Sequence, residues 1–126
     1  MTNKDEQYYR VDEITANLLK QAGFDLDVTA GYDIEVGSHT YQEGLRTLNY
    51  NVLPRCSSAP LIDIALVWCK ELGYEFETTA DIVPIYLRKG IELQKIVTVP
   101  VLSNKRDTNM LFIKACCEHQ IKLKNQ

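Results

Sequence analysis

Residues 58–73 read SAPLIDIALVWCKELG and carry the strongest structural signal in the chain. Apolar side chains recur there at the i, i+3, i+4, i+7 and i+11 spacing of one helix face, at Leu61, Ile64, Ala65, Trp68 and Leu72. Ser58 can cap the first turn, and Pro60 fits that turn because an amide there has no helical partner. Gly73 suits the left-handed residue that ends a helix. The stretch therefore predicts an amphipathic helix that packs against a sheet.

Alternating segments on both sides of this helix predict antiparallel strands. Polar and apolar residues alternate over 24–28, 32–36, 74–78, 83–87 and 93–101. The turn at 29–31 would join the first two into a hairpin with one buried face. Pro84 cannot donate to a ladder, so its strand is expected at a sheet edge or to start late.

Two more helices are predicted near the ends of the chain. The first begins at Asp12, a suitable N-cap, and ends at Gly23, with a stripe at Ile14, Leu18 and Ala22. The last is capped by Asp107 or Thr108, with a stripe at Met110, Ile113, Cys117 and Ile121. The punctuated segment 37–58 leaves two alternatives open, a short helix near 41–48 or a loop.

These elements predict an α+β fold in the order αββ(α)–αβββα. About three helices cover one face of an antiparallel sheet of four to five strands. We expect a single domain over 11–122, with a flexible tail at 1–10 and a short tail at 123–126. The stretches KQAGFDLDVTA at 20–30 and KELGYEFETTA at 70–80 allow a duplicated αββ unit, 11–36 and 61–88. Convergence of two helix–glycine–strand joints is the alternative.

Composition indicates a folded, non-membrane chain of 126 residues. Hydrophobic residues make up 45% and charged residues 25%, and four cysteines occur without a CxxC pair. No secretory signal and no apolar run long enough to cross a membrane are present. We therefore expect a cytoplasmic protein with free thiols and no membrane partner. The net charge of −3 argues against strong attraction to nucleic acid or anionic lipid.

Two segments carry a resemblance to a known family. The segment SAPLIDIALVWCKE at 58–71 and the upstream ANLLKQAGF at 16–24 are similar to small proteins of prophages and mobile elements of gut anaerobes. The closing helix, at 108–117, is more apolar here and carries paired cysteines. The resemblance implies a mobile-element context and supplies no chemistry.

No catalytic, metal or cofactor motif is found in the sequence, so we predict no catalytic residue, metal site or cofactor. Cys116 and His119 share a helix face, and a thiolate with an imidazole can bind zinc or form a nucleophile–base pair. A zinc site would need a third ligand, and none lies at ligand spacing. Packed thiols and a surface imidazole are therefore the favoured interpretation, and a small Cys/His enzyme is the last alternative.

Acidic residues form a second candidate site on the predicted first hairpin. Asp25 and Asp27 share a strand face, as do Asp33 and Glu35, and the turn would bring the two pairs opposite each other. Like charges in that position repel, and a divalent cation or a basic partner would relieve the repulsion. A solvated outer face is the favoured interpretation, because exposed carboxylates in water interact weakly.

Basic residues near the C-terminus form a third candidate site. Residues 104–126 carry a net charge of +3, against −6 for the other 103. From Pro60 onward the α-β-β-β-α order resembles that of double-stranded-RNA-binding domains, in which a basic cluster opens the final helix and grips phosphates. The resemblance implies nucleic-acid contacts at Lys105, Arg106 and Lys114. The negative total charge opposes this interpretation.

Two tyrosines form the last candidate site, a surface for contact with a partner. Tyr41 and Tyr50 flank the irregular segment, and tyrosine is favoured at protein interfaces. The leading hypothesis is therefore a non-catalytic accessory protein that acts through protein contacts, with another protein or with a second copy of itself. A small domain that binds double-stranded nucleic acid is the alternative.

Overall fold

A computed structural model describes residues 3–35, 38–77 and 81–126. The helices are α1 (Asn3–Tyr8), α2 (Glu13–Ala22), α3 (Ile62–Glu71) and α4 (Lys105–Lys124). The strands are β1 (Gly31–Glu35), β2 (Ser38–Gln42), β3 (Cys56–Ser58), β4 (Tyr74–Phe76), β5 (Ile82–Lys89) and β6 (Glu92–Pro100). The α+β prediction is confirmed. The ends of two predicted strands, Val36 and Thr78, lie outside the described residues.

The described strands form two sheets instead of the single predicted sheet. Each is antiparallel and three-stranded, in the orders β2-β1-β3 and β4-β5-β6. The chain divides into two compact units, Met1–Ile62 and Asp63–Gln126, and each unit holds one sheet. The predicted count and order of strands are therefore wrong. The single domain over 11–122 and the αββ duplication stay predictions.

Helix α2 begins and ends as predicted. The Asp12 carboxylate accepts a hydrogen bond from the Thr15 amide at 2.8 Å, and Gly23 has a φ of 100°. The buried residues, however, are Thr15, Ala16, Leu19 and Ala22. Ile14, part of the predicted stripe, is 66% exposed. The buried face is thus rotated from the prediction by about one residue, or roughly 100° around the helix.

The predicted hairpin of 24–28 with 32–36 does not form. Strand β1 pairs instead with β2 and β3, and Val28 makes only an isolated bridge with Leu48. Both edges of β1 are thus occupied, and the Phe24 carbonyl is bound instead by Asn51, whose Nδ2 donates to it at 2.9 Å and whose Oδ1 accepts from the Ser58 amide at 2.8 Å. Of the two alternatives for 37–58, the short helix near 41–48 does not form: strand β2 ends at Gln42, residues 43–48 are not helical, and a 3₁₀ helix spans Tyr50–Val52.

Residues expected in a polar tail are ordered into the first unit. Residues 3–8 form α1, and Arg10 is only 5% exposed. Arg10 Nη1 donates to the Ala59 carbonyl at 2.7 Å, and Nη2 forms an ion pair with Glu6 at 2.6 Å. The Tyr32 hydroxyl donates to the Val11 carbonyl at 2.9 Å. Polar side chains therefore fasten loop backbone throughout this unit.

Helix α3 is present, but its buried face differs from the predicted stripe. Ala65, Trp68 and Cys69 are buried, as the spacing partly indicated. Ile64 is 43% exposed and Leu72 is 39% exposed. The helix carries apolar residues almost all round, so spacing alone does not select a single face. Gly73 ends this segment with a φ of 106°, as predicted.

Strand β5 forms the centre of the second sheet and alternates as predicted. Val83, Ile85 and Leu87 are buried on one face. Two alternatives were open for this strand, and the structure shows neither: β5 lies between β4 and β6, and it begins at Ile82, before Pro84. Pro84 is accommodated because β4 pairs with β5 only from Ile85 onward. Its missing amide therefore interrupts no ladder bond to β4.

Helix α4 covers the buried face of this sheet. Its N-cap is Asn104, whose side chain accepts from the Asp107 amide at 2.8 Å, in place of the predicted Asp107 or Thr108. Met110, Ile113 and Cys117 are buried as predicted. Phe112 stacks on Phe76 of β4 with ring centroids 4.8 Å apart. From α3 to α4 the element order is α-β-β-β-α, as the sequence indicated.

Candidate functional site

Strand β6 is a long edge strand that is exposed over most of its length. Its nine residues span roughly 30 Å, and among the described strands it pairs only with β5. Within β6 only Val99 is buried and Ile96 is half-buried. An edge strand presents a row of backbone amides and carbonyls without a ladder partner. Strand β6 therefore offers backbone hydrogen bonds as well as side chains to a partner.

The row of β6 that lies opposite the buried face of β5 becomes more exposed toward the β5–β6 turn. Three residues of β6 lie opposite the buried row of β5: Val99 faces Val83, Val97 faces Ile85 and Gln94 faces Leu87. Val99 is 9% exposed, Val97 is 39% exposed, and Gln94 is exposed. The register shifts between Ile85 and Tyr86, which leaves Ile96 as an extra residue in β6. This bulge brings two adjacent apolar residues to the rim of the sheet.

A groove lies between this rim and helix α4. Its volume is about 190 Å³. The lining residues are Ile96 and Val97 of β6 and Ala115, Glu118, His119 and Lys122 of α4. The floor is apolar and the helix side is charged, so the groove can receive an aliphatic side chain next to a polar or charged one.

His119 is held in place at the groove by Tyr74 of β4. The Tyr74 hydroxyl lies 2.7 Å from His119 Nδ1, in hydrogen-bond contact. Partial burial, followed by the nearby charges of Lys122 and Lys89, lowers the pKa of His119 below its usual value. Lys122 and Lys89 therefore both lie close enough to His119 to act on its charge.

Cys116 and His119, the pair behind the last alternative, each have another partner in the structure. Cys116 is fully buried, and its contact with Cys69, together with burial, raises the pKa of its thiol. Burial also raises the pKa of the neighbouring Cys117. His119 is engaged by Tyr74 instead. Over the described ranges, no group of three or more histidine, cysteine, aspartate or glutamate side chains is arranged to hold a metal ion.

Tyr41 and Tyr50 lie in the first unit and are both half-buried. The Tyr41 hydroxyl donates to Glu43 Oε2 at 2.9 Å, and its ring lies 5.5 Å from that of Tyr32. Burial, and then Glu43, raises the pKa of Tyr41. The Tyr50 hydroxyl donates to the Arg46 carbonyl. Both hydroxyls are thus engaged within the chain.

Tyr50 also lines a small cavity in the first unit. The volume is about 100 Å³, and the lining includes Tyr32, Asp33, Leu53 and Cys56. Burial, and then the charge of Asp33, raises the pKa of the Cys56 thiol. A thiol held in its protonated form is a weak nucleophile. The cavity therefore has little reactive chemistry.

The acidic residues do not meet across a hairpin. Asp25 and Asp27 are exposed on an irregular segment, whereas Asp33 lies in β1 opposite Thr40 and Cys56. The side chain of Glu35 lies outside the described part of the chain. The cation hypothesis required Asp25 and Asp27 to lie opposite the acidic residues of β1. Because 24–28 does not pair with β1, that arrangement does not form.

The basic residues at the start of α4 are spread along the helix. Lys105 is exposed, and Arg106 Nη1 donates to Asp107 Oδ1 at 2.9 Å, which offsets its charge locally. Lys114 lies nine residues beyond Lys105, about 14 Å along the helix axis. Lys122, near the other end of α4, lines the groove, and Lys89, at the end of β5, lies close enough to His119 to act on its charge. The charge count of 104–126 gave no indication of that position.

Comparison with known proteins adds no identity. No protein-family model matches the chain, and the searches of curated proteins and of solved structures give no match either. Within the described residues, no helix is both long and apolar enough to cross a bilayer. The geometry of the chain is therefore the basis for assigning a function.

Proposed function

We propose that this chain is a non-catalytic accessory protein that acts through protein contacts, and that β6 is its main contact surface. The observation that carries the proposal is the nine-residue edge strand with exposed side chains along most of its length. A long exposed edge with apolar residues is a template for pairing with another chain, and proteins usually cover such edges. The prophage or mobile-element context rests on the sequence resemblance alone.

The titratable groups favour a binding role over catalysis. Cys69, Cys116 and Cys117 are fully buried, and His119 is paired with Tyr74. A thiolate nucleophile needs exposure and a lowered pKa, whereas the pKa values of Cys116 and Cys117 are raised. These features support a contact surface built from backbone and apolar groups.

Site-specific crosslinking in the native host tests this proposal. A photoreactive residue replaces Leu93, which is 46% exposed on β6, and, as a control, Ile14, which is 66% exposed on α2. We expect a protein adduct from position 93 that is lost in the Val97→Asp variant and is absent from position 14. Equal adducts at both positions, no adduct at 93, or a measured turnover would remove the proposal.

A further inference from the structure

The edge of β6 that no other described strand covers determines the conformation of what can bind there. The unpaired amides and carbonyls of an edge strand are satisfied by a chain in extended conformation that runs alongside it. Side chains of such a chain alternate between the two faces of the sheet. On the α4 side, alternate side chains of the added strand would therefore reach the groove beside Val97 and Ala115. We propose that β6 and this groove bind an acidic, extended segment of a partner protein, which adds to the sheet as a fourth strand.

The charge of this region selects an acidic partner. Charge is unevenly distributed within the second unit: residues 63–81 hold one basic and five acidic residues, whereas residues 82–126, which form β5, β6 and α4, hold eight basic and three acidic ones. At the groove, Lys122 and Lys89 lie near His119, and Glu118 is the single acidic residue in the lining. Carboxylates placed next to aliphatic residues in the partner would meet this basic rim, while the aliphatic side chains cover Ile96 and Val97.

The same features disfavour a second copy of the chain as the occupant. A two-fold contact through β6 would bring Lys89, Lys95 and Lys122 of each copy toward one interface, with Glu92 and Glu118 to oppose them, and this excess of like charge disfavours association. Natural edge strands avoid pairing with another copy of themselves through lysines, β-bulges and prolines, and β6 has all three, at Lys95, Ile96 and Pro100. A single peptide strand avoids the charge repulsion and can adjust to the bulge.

The experiment uses the full chain, labelled with ¹⁵N, and a defined peptide probe. The probe is a pool of end-blocked decapeptides in which aspartate alternates with valine, leucine or isoleucine. We expect saturable amide shifts in β6 and in α4 near Ala115 and His119, with a half-saturation at or below about 100 µM. A matched pool with lysine in place of aspartate should not bind, and N-methylation of alternate amides in the acidic pool should abolish binding.

Two charge-reversal variants separate the groove from the general charge of the helix. Lys122→Glu should weaken binding about ten-fold, because it reverses the charge at the groove rim. Lys105→Glu, at the other end of α4, changes the net charge equally and should leave the affinity within about two-fold. Both lysines are exposed, so the fold should tolerate each change, which the dispersion of amide shifts verifies.

Several outcomes would overturn the inference. These are no shifts with the acidic pool at about 1 mM, equal binding of the lysine pool, indifference to N-methylation, self-association through β6 with rising concentration, or a stronger response of the same amides to duplex RNA. The inference rests on the proposed function, but the two fail separately. Crosslinking at position 93 without peptide binding removes the acidic strand and leaves the protein contact. Peptide binding without crosslinking would overturn the proposed protein contact in the host and leave the preference of β6 for an acidic strand.

Discussion

The two units are nearly equal in length but are stabilised in different ways. In the first, polar side chains bind the backbone of loops and of the short strand β3: Arg10 binds the Ala59 carbonyl, Lys20 the Cys56 carbonyl, and Asn51 both Phe24 and Ser58. In the second, a regular ladder and an apolar layer do most of this work, with β5 at the centre. The strands of the first unit have three to five residues, because side-chain hydrogen bonds supply part of its stability. In the second unit β5 and β6 have eight and nine residues, and the outer strand of such a long ladder has a long exposed edge.

The largest expected effect distinguishes the centre of the second sheet from its edge. Ile85 is fully buried and lies directly opposite Val97, which is 39% exposed. Ile85→Ala should lower the free energy of unfolding by about 3 kcal/mol, because it leaves a cavity in the core. Val97→Ala should cost less than about 1 kcal/mol. Urea denaturation followed by the fluorescence of the single tryptophan, Trp68, measures both, and equal losses would contradict the contrast.

A slightly smaller effect tests the side-chain anchoring of the first unit. Arg10→Ala removes the guanidinium from the Ala59 carbonyl and from Glu6. Because the Ala59 carbonyl is left buried without this donor, the free energy of unfolding should fall by about 2–3 kcal/mol. Arg55→Ala, at an exposed site, should change it by less than about 0.5 kcal/mol. Circular dichroism during denaturation gives both values, and a neutral Arg10→Ala would show that packing holds this unit.

Asn51 provides a second test of side-chain hydrogen bonding in the first unit. Asn51→Ala removes the donor to Phe24 and the acceptor from Ser58, so a loss of about 1–2 kcal/mol is expected. Asn51→Asp keeps the acceptor for Ser58 but sets a carboxylate oxygen against the Phe24 carbonyl, so its loss at pH 7 should be at least as large as that of Asn51→Ala. A clearly smaller loss for Asn51→Asp than for Asn51→Ala in denaturation experiments would show that the contact with Phe24 contributes little.

The smallest effect concerns the pH dependence of the second unit. The pKa of His119 is lowered in the folded chain, so the unfolded chain binds the proton more readily. The contribution of neutral His119 is complete above its unfolded pKa, near 6.5, and is lost as the pH falls through the lower folded pKa. Denaturation at pH 7.5 and 5.5 should therefore show a steeper loss for the wild type than for His119→Gln. Identical slopes would mean that the imidazole is not desolvated in the fold.

Local periodicity predicted most elements of the second unit but fewer of their faces. The strand alternation at Val83, Ile85 and Leu87 and the stripe at Met110 and Ile113 survive because regular elements pack there. Helix α3 carries apolar residues on several sides, so the sequence alone could not select Cys69 over Ile64. The sequence also could not predict which residues of β6 are buried, because that depends on how far α4 extends across the sheet.

In the first unit, local periodicity failed to predict which segments pair. The alternation at 24–28 is as regular as that of a strand, yet the side chain of Asn51 binds the Phe24 carbonyl, and β1 takes its partners from 38–42 and 56–58. Such long-range side-chain bonds leave no periodic signal. The predicted contact residues Tyr41 and Tyr50 lie in this unit, and the groove residues Val97 and Lys122 had no motif to mark them.

Amide hydrogen exchange along β6 tests the central claim most directly. If the edge is free, amides of β6 that point toward β5 should exchange slowly and the alternate ones rapidly, whereas Ile85 to Leu87 of β5, paired on both sides, should all be protected. The pattern should be the same at low and high protein concentration. Uniform slow exchange from Leu93 to Val99 in the isolated chain would show that the edge is already covered, and would contradict the account.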